Sequence, residues 1–216
     1  DRSMAVTLDT TLLDDSLDEL AETVPLTLGV PTNGTLGTSV VHTLTIDDND
    51  VPPTVDFDLA AQSLDEGTGA VGIGLSLDTP SGLAVSGTYS VSGDATDGVD
   101  FTSFTLTHIN PARCPRYTLD TTLLDERLYK LAETVVLTLA TPSNATLGVT
   151  AVHTLTIDDN DVPPRVDFDL AAQSLDEGTG AVSIGLSLDT PSGLAVSGTY
   201  SVSGDATDGV DFTSFT

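Results

Sequence analysis

The sequence predicts an all-β protein, built as a tandem array of immunoglobulin-like antiparallel β-sandwiches with about seven strands in each repeat. Three observations predict this fold. The 216 residues are rich in threonine, valine, leucine, glycine and serine, and tryptophan is absent. Apolar and polar residues alternate over short segments, which is typical of half-buried strands. Turn signals such as DTPSG and SGDATDG separate these segments.

The array is visible as an internal repeat. Ile46 aligns with Ile157 and Asp100 with Asp211, a constant offset of 111 residues. Residues 41–105 align with 152–216 without a gap, and only Thr54/Arg165 and Gly72/Ser183 differ. Such near-identity indicates a recent duplication of the kind found in long tandem arrays.

The repeat divides the chain into one complete domain and two halves. We predict a C-terminal half domain at 1–50, a linker at 51–54, a complete domain at 55–161, a linker at 162–165 and an N-terminal half domain at 166–216. In the complete domain, alternation predicts strands over 55–59, 71–77, 83–91, 104–108, 117–124, 133–140 and 151–157. Gly72, one of the two exchanged positions, is expected to face outward.

The charge balance excludes some partners. Six Lys and Arg residues stand against 33 Asp and Glu residues, giving a formal net charge of −27. This charge would repel nucleic acid phosphates and an anionic membrane surface. It suits surroundings rich in cations, and we expect an extracellular or cell-surface location. No apolar run reaches the roughly 18 residues of a membrane helix, and we expect the chain to be a piece of a longer protein. Cys114 is the only cysteine, which rules out an intrachain disulfide.

Acidic residues recur at four stations in each period, each at a predicted strand end or loop. The first station is SLDEG, the second SGDATDGVDF, the third LLDDSLDELAE or LLDERLYKLAE, and the fourth TLTIDDNDVPP. Loops gather at the two ends of a sandwich, so stations that are distant in sequence can converge. Carboxylates held close together without a cation would raise one another's pKa. Calcium, which takes six to eight oxygen ligands in irregular geometry, is the natural occupant. Mg²⁺ demands a tighter octahedron, and zinc would require His or Cys.

The ordered set of motifs resembles the Calx-beta domain, a family first recognised in sodium–calcium exchangers. The segments VDFTSF, LLDDSLDELAETVPLTL and NGTLGTSVVHTLTIDDND carry the resemblance. In the middle domain, the resemblance implies as calcium ligands Glu66, Asp100, Asp125, Glu126, Glu133, Asp159, Asn160 and Asp161. In the half domains it implies Asp14, Asp15, Glu19, Glu22, Asp48, Asn49 and Asp50, and then Glu177 and Asp211. Leu128 stands where the family contributes a backbone carbonyl.

The middle domain departs from the family pattern at one ligand. Lys130 stands where the family has a ligand Glu, which Glu19 supplies in the other copy, and Arg127 lies nearby. An ammonium can replace the charge of a cation. We therefore expect the middle domain to bind fewer ions than a domain with Glu at this position, or none.

Three function classes can be compared on sequence. An enzyme is not expected: no nucleophile elbow or phosphate loop is present, and His42 and His153 share the parity of apolar strand positions. The favoured interpretation is a calcium-stiffened structural repeat of a large extracellular adhesin or surface filament. A calcium-sensing regulatory module and a cadherin-like adhesion repeat, whose linker DxNDNxP resembles DDNDVPP, are the alternatives.

The linkers and ends suggest how repeats are joined. Pro52 and Pro53 follow the fourth station directly, and each fixes φ and removes a hydrogen-bond donor. Calcium and the prolines together are expected to make the array a rod. Each half domain supplies only some strands of a sandwich, so we expect the ends to complete a domain head to tail with a neighbouring copy, or with the next segment of one continuous chain. Pairing of a chain's own two ends is the competing outcome.

Overall fold

The structure is a computed structural model that describes residues 6–109 and 116–216, so Cys114 lies outside the described residues. The N-terminal part carries β1 (Glu22–Thr27) and β2 (Val41–Ile46). The middle domain carries β3 (Thr54–Phe57), β4 (Ala61–Asp65), β5 (Ala70–Leu77), β6 (Tyr89–Gly93), β7 (Thr105–Ile109), β8 (Arg116–Thr122), β9 (Glu133–Leu139), β10 (Thr146–Leu147) and β11 (Val152–Asp158). The C-terminal part carries β12 (Val166–Phe168) and β13 (Leu186–Leu188).

The middle domain is a sandwich of two sheets, as predicted. One sheet has the order β10-β3-β5-β8-β7 and the other β4-β11-β9-β6. The inner faces meet in a core to which both sheets contribute: Phe57, Val71, Ile73, Leu75, Phe101, Leu119, Leu123, Val135, Leu137, Leu155 and Ile157. Alternation in β5 places Val71, Ile73, Leu75 and Leu77 inward and leaves Gly72 exposed, which confirms the predicted orientation.

Some details of the sequence prediction are wrong. The structure adds β4 and β10 to the predicted strands, and these two short strands pair parallel with β11 and β3 in a sandwich whose other strand pairs are antiparallel. The predicted strand over 83–91 becomes β6 at 89–93, because residues 83–88 precede the strand and form only an isolated bridge at Ser86. Leu59 lies beyond the end of β3 and is exposed. Val91 is opposite buried Leu137 but lies on the edge strand, where less of the facing sheet covers it.

His153 confirms the structural interpretation of the strand histidines. Its side chain is fully buried, its Nδ1 lies 2.6 Å from the Leu59 carbonyl oxygen, and its ring centroid is 5.6 Å from that of Phe57. His42, its counterpart on β2, is exposed because no second sheet lies over that strand pair. Among the described residues, no helix has both the length and the apolar character needed to cross a membrane.

Each half domain contains one strand pair that is equivalent to a strand pair of the middle domain. The β1–β2 pair corresponds, 111 residues earlier, to the β9–β11 pair, and both are antiparallel. The β12–β13 pair corresponds to β3–β5. In the complete domain these two pairs lie in opposite sheets and pack face to face. The two halves of the chain therefore expose complementary faces of the same sandwich.

Candidate metal centre

The middle domain brings the first and fourth acidic stations together through a parallel strand pair. Residues 61–65 of β4 pair with residues 154–158 of β11, so Asp65 lies opposite Asp158. Because the two strands run parallel, both finish at the same end of the sandwich. Glu66 follows one strand, and Asp159 follows the other.

Local contacts shape the loops that carry the acids. Glu66 begins a single 3-10 turn, Glu66–Thr68, which ends at Gly69 with φ of 76°. Asp100 sits in the tight turn of the second station, where the Thr96 amide donates to its Oδ2 at 2.6 Å. These contacts are formed within each loop.

Asp159 ties the third station to the fourth. The backbone N–H of Lys130 donates to Asp159 Oδ2 at 3.1 Å, and the N–H of Asp161 donates to Asp159 Oδ1 at 3.2 Å. The Asn160 amide group donates to Asp125 Oδ1 at 2.9 Å. The predicted convergence of these two stations is thus observed in the middle domain.

Three carboxylates form a compact oxygen cluster. Oxygen atoms of Glu66, Asp159 and Asp161 lie within 4.8 Å of one another. The Glu66 residue is only 1% exposed, yet within residues 6–109 and 116–216 neither of its carboxylate oxygens has a hydrogen-bond partner, and the buried Oδ2 of Asp161 also lacks one. Burial raises the pKa of Glu66 to about 7; Lys130 opposes this rise, while Asp159 and Glu126 add to it. A carboxylate in this state has unused capacity to bind a cation.

Lys130 fills the other side of the acidic region. Its ammonium Nζ lies 2.5 Å from Asp100, 2.7 Å from Glu126 and 2.7 Å from Glu133. The Lys130 side chain is 12% exposed. The ammonium therefore occupies the position where the predicted ligands Asp100, Glu126 and Glu133 converge. Arg127 is exposed and makes no ion pair within the described part of the chain.

The pKa values around Lys130 follow from this packing. Burial lowers the pKa of Lys130, but its hydrogen bonds to Asp100, Glu126 and Glu133 outweigh burial and raise the pKa overall. Burial raises the pKa of Asp100, but hydrogen bonds from Lys130 and the Thr96 amide bring it below its ordinary value. Burial raises the pKa of Glu133, and the lowering effect of Lys130 does not cancel that rise. Lys130 therefore remains charged, paired with an ionised Asp100.

The N-terminal half domain repeats the same loop contacts. The Glu19 N–H donates to Asp48 Oδ2 at 3.1 Å, and Asn49 donates to Asp14 Oδ1 at 3.0 Å. The predicted ligands line one cleft of about 220 Å³: Asp14, Asp15, Glu19, Glu22, Asp48, Asn49 and Asp50. Burial, followed by repulsion from neighbouring carboxylates, raises the pKa of both Glu19 and Asp50. Here no lysine stands among the acids of the cleft.

The C-terminal half domain builds its loops but not a cluster. Glu177 begins the 3-10 turn Glu177–Thr179, and the Thr207 amide donates to Asp211 Oδ2 at 2.7 Å, as in the complete domain. Both acids are exposed. Their counterparts Glu66 and Asp100 are buried, because the third and fourth stations cover them in the complete domain.

Gly67 is a site residue that sequence reasoning missed. A Cβ at this position would lie 2.9 Å from Asn160 Nδ2 and 3.4 Å from Asp125 Oδ1. A larger residue at position 67 would force the Asn160 side chain to shift. The available signal was the repetition of glycine after the station's Glu, as Gly67 and Gly178.

The sequence profile of the Calx-beta domain matches residues 47–161 and 158–216. The chain belongs to the Calx-beta domain family. This result favours the Calx-beta resemblance over the cadherin alternative. No curated protein matches the chain.

Solved structures similar to this chain include domains of the same family. The crystal structure of the apo form of the Calx CBD1 domain has 16% identity and a TM-score of 0.40, covering 50% of this chain and 98% of that one. Calcium-binding domain CBD12 of CALX1.1 has 17% identity and a TM-score of 0.39, covering 58% and 52%. CBD12 from CALX1.2 has 16% identity and a TM-score of 0.39, covering 54% and 48%. The chain thus spans about half the length of both CBD12 structures.

Proposed function

We propose that this chain is a non-catalytic calcium-binding repeat of an extracellular adhesin or surface filament, stiffened by Ca²⁺ at the ends of its domains. One observation carries the calcium assignment: a buried Glu66 carboxylate without hydrogen-bond partners lies against Asp159 and Asp161. An unpaired buried carboxylate is costly unless a cation compensates it.

The donor chemistry fits calcium. Carboxylate oxygens supply the cluster, and the loops that carry them are irregular, which suits the flexible coordination of Ca²⁺. In the middle domain Glu66, Asp159 and Asp161 would hold the ion, with Asp125 and Asn160 beside them. The bound ion supplies positive charge that offsets the repulsion among these acids.

Lys130 limits how many ions the middle domain can take. Its ammonium already pairs with Asp100, Glu126 and Glu133. A single positive charge leaves these acids and Glu66 with a net negative charge, so one divalent ion is still favoured nearby. We propose that the middle domain binds fewer ions than a composite domain with Glu19 at the equivalent position.

The composite domain defines the proposed partner, a neighbouring copy joined head to tail. Leu26 and Phe168 are 43% and 56% exposed, whereas their counterparts Leu137 and Phe57 are 0% and 2% exposed in the complete sandwich. Joining the faces would unite Glu177 and Asp211 with the acidic cleft of the other half. Such heterologous pairing builds a filament unless its rotation closes a ring. In a longer polypeptide, the adjacent segment of the same chain would take the partner's place.

A calcium-sensing module is the second candidate. It is favoured by the unlike stations of the two copies, because Lys130 and Glu19 would give sites of different affinity. A sensor would change conformation over a narrow range of calcium concentration, whereas a structural repeat would stay saturated where calcium is abundant.

Calorimetric titration of the chelator-treated full chain with CaCl₂ tests the proposal, with MgCl₂ as the matched control. We expect calcium to bind and to raise the melting temperature by mass action. Equal melting temperatures in calcium and in chelator, with no binding heat, would reject the calcium assignment.

A further inference from the structure

Consecutive repeats touch through the same main-chain contact at both junctions of the chain. The Gly82 N–H donates to the Asp18 carbonyl oxygen at 2.9 Å, and the Gly193 N–H donates to the Tyr129 carbonyl oxygen at 2.9 Å. Parallel β-bridges accompany both bonds, Asp18 with Ser81 and Tyr129 with Ser192. Donors and acceptors are each related by the offset of the repeat. The contact is therefore a property of the repeat.

The receiving side is a preformed turn, which we call the docking turn: residues 78–82 and, in the next copy, 189–193. Its serine closes it locally, because Leu83 N–H donates to Ser81 Oγ at 3.1 Å and Leu194 N–H to Ser192 Oγ at 3.1 Å. Its aspartate ties it to the first strand after the linker. Asp78 Oδ1 accepts from Thr54 N–H, and Asp189 Oδ1 accepts from Arg165 N–H, both at 2.7 Å.

The inserted side is the loop of the third station, 14–22 or 125–133, and its sequence has drifted. The central residue is Asp18 at one junction and Tyr129 at the other. Because the bond is made by the main chain, this change leaves it intact. Asp18 is only 7% exposed, although Leu20 nearby is 72% exposed. The docking turn accounts for that burial, since Ser81 contacts both the carbonyl and the carboxylate of Asp18.

The glycine of the docking turn lies close to the preceding repeat at both junctions. A Cβ on Gly82 would lie 3.2 Å from Glu19 Cβ and 3.3 Å from Leu17 Cδ2. A Cβ on Gly193 would lie 3.4 Å from both Leu128 Cδ2 and the Tyr129 oxygen. Neither glycine has a positive φ. A Cβ alone would therefore be tight at Gly82 and would make ordinary contacts at Gly193, while the added methyl groups of a valine would reach further toward the preceding repeat.

We propose that the docking turn of each repeat is a binding surface for the third-station loop of the repeat before it, so that successive repeats dock in one fixed way without metal. The fitting partner is another copy of this repeat. The bond forms beside Glu19 at one junction and beside Lys130 at the other, so it does not depend on the charge of the adjacent station. This inference goes beyond the proposed function, because it assigns the junction to main-chain contacts.

Amide hydrogen exchange on the full chain in chelator tests the docking. We expect the Gly82 and Gly193 amides to be protected by at least about tenfold relative to unstructured rates. Gly82→Val and Gly193→Val should remove that protection at their own junctions. The matched controls are Gly87→Val, where the nearest atom is 3.6 Å from the added Cβ, and Gly198→Val, where nothing lies within 4 Å. Protection of the Ile73 amide in the core verifies that each variant is folded.

A distance measurement gives an independent readout. With Cys114→Ser as background, spin labels on exposed Ser90 and Ser187 span the second junction. A narrow distance distribution is expected in chelator, broadened by Gly193→Val and unchanged by Gly198→Val. Unprotected Gly82 and Gly193 amides, or a distribution that Gly193→Val leaves unchanged, would overturn the proposal. Protected amides in a chain that binds no calcium would support docking and reject only the calcium assignment.

Discussion

Lys130 Nζ lies 3.9 Å from Glu66 Oε2, beyond hydrogen-bonding distance, while the same ammonium bonds Asp100, Glu126 and Glu133. The acidic end of the middle domain is thus divided into two parts. In one part, a fixed cation from the chain itself offsets some of the negative charge. The other, around Glu66, keeps its oxygens free for a cation from solution.

Glu66→Gln should separate the free-energy cost of burying the carboxylate from its contribution to calcium binding. At pH 8 in chelator we expect a melting temperature equal to or above that of the wild type, because a buried amide costs less than a buried charge. In calcium we expect most of the stabilisation to be lost; for the wild type it is about 2.7 kcal/mol at a hundred times Kd. Thermal melts with and without calcium measure both. Asp9→Asn, at an exposed aspartate outside the four acidic stations, is the control and should leave the melting curves unchanged.

Lys130→Met should destabilise the metal-free middle domain. Removing the ammonium leaves the buried Asp100 and the partly buried Glu133 without this cation, a loss of about 3–5 kcal/mol for a broken buried pair. Denaturant unfolding in chelator measures the change. Arg127→Ser is the control, since that side chain is exposed; a similar loss in both variants would contradict the assigned role of Lys130.

Lys130→Glu should raise the calcium stoichiometry. It restores the residue that Glu19 provides in the other copy, so a divalent ion can replace the ammonium between Asp100 and Glu133. Calorimetric titration of this variant, alone and combined with Arg127→Ser, gives the number of ions. An unchanged stoichiometry and affinity would count against the idea that Lys130 takes the place of an ion.

Asp94 should make the stability of the middle domain sensitive to acid. The side chain and the N–H of Thr134 donate to its Oδ1, both at 2.6 Å, and lower the pKa of Asp94. Since the folded pKa is depressed, the stabilisation is fully present above the unfolded pKa of about 3.9 and is lost as pH falls through the lower, folded value. Asp94→Asn should flatten this part of a stability profile measured by denaturant unfolding. Asp65→Asn, at an exposed aspartate of the same domain, is the control and should leave this acid-dependent loss of stability in place.

Leu137→Ala and Leu26→Ala should have different effects although the residues are equivalent. Leu137 is fully buried, and its truncation should cost about 2–5 kcal/mol of unfolding free energy. Leu26 is 43% exposed, and its truncation should instead weaken association between chains. Sedimentation over a range of concentrations measures that association. Its absence in the wild type, with both ends of one chain paired in a compact monomer, would reject head-to-tail assembly.

The sequence was sufficient for the sandwich and for the acids, because both follow from local signals repeated in two copies. Alternation located β5 and β9 well, since their inward residues are fully covered. It missed β4, which is short and leads into the Glu66 station, so its residues were interpreted as part of an acidic loop. The role of Lys130 could be expected from the sequence, because its positive charge stands where the other copy has the negative charge of Glu19. The division of the acids between Lys130 and the Glu66 cluster could not be predicted, because it depends on distances between loops that are far apart in sequence.

The parallel pairing of β4 with β11 also has a kinetic consequence. Glu66 and Asp159 meet only after the long chain segment between them has closed. The entropy of this loop closure must be lost before the contact between the two residues can form. The cation site is therefore absent from the unfolded chain and completed late. Calcium should then act mainly by slowing unfolding, with little effect on the refolding rate. The array would gain its lifetime under mechanical load from the ion, while the speed of its folding would be set by strand topology.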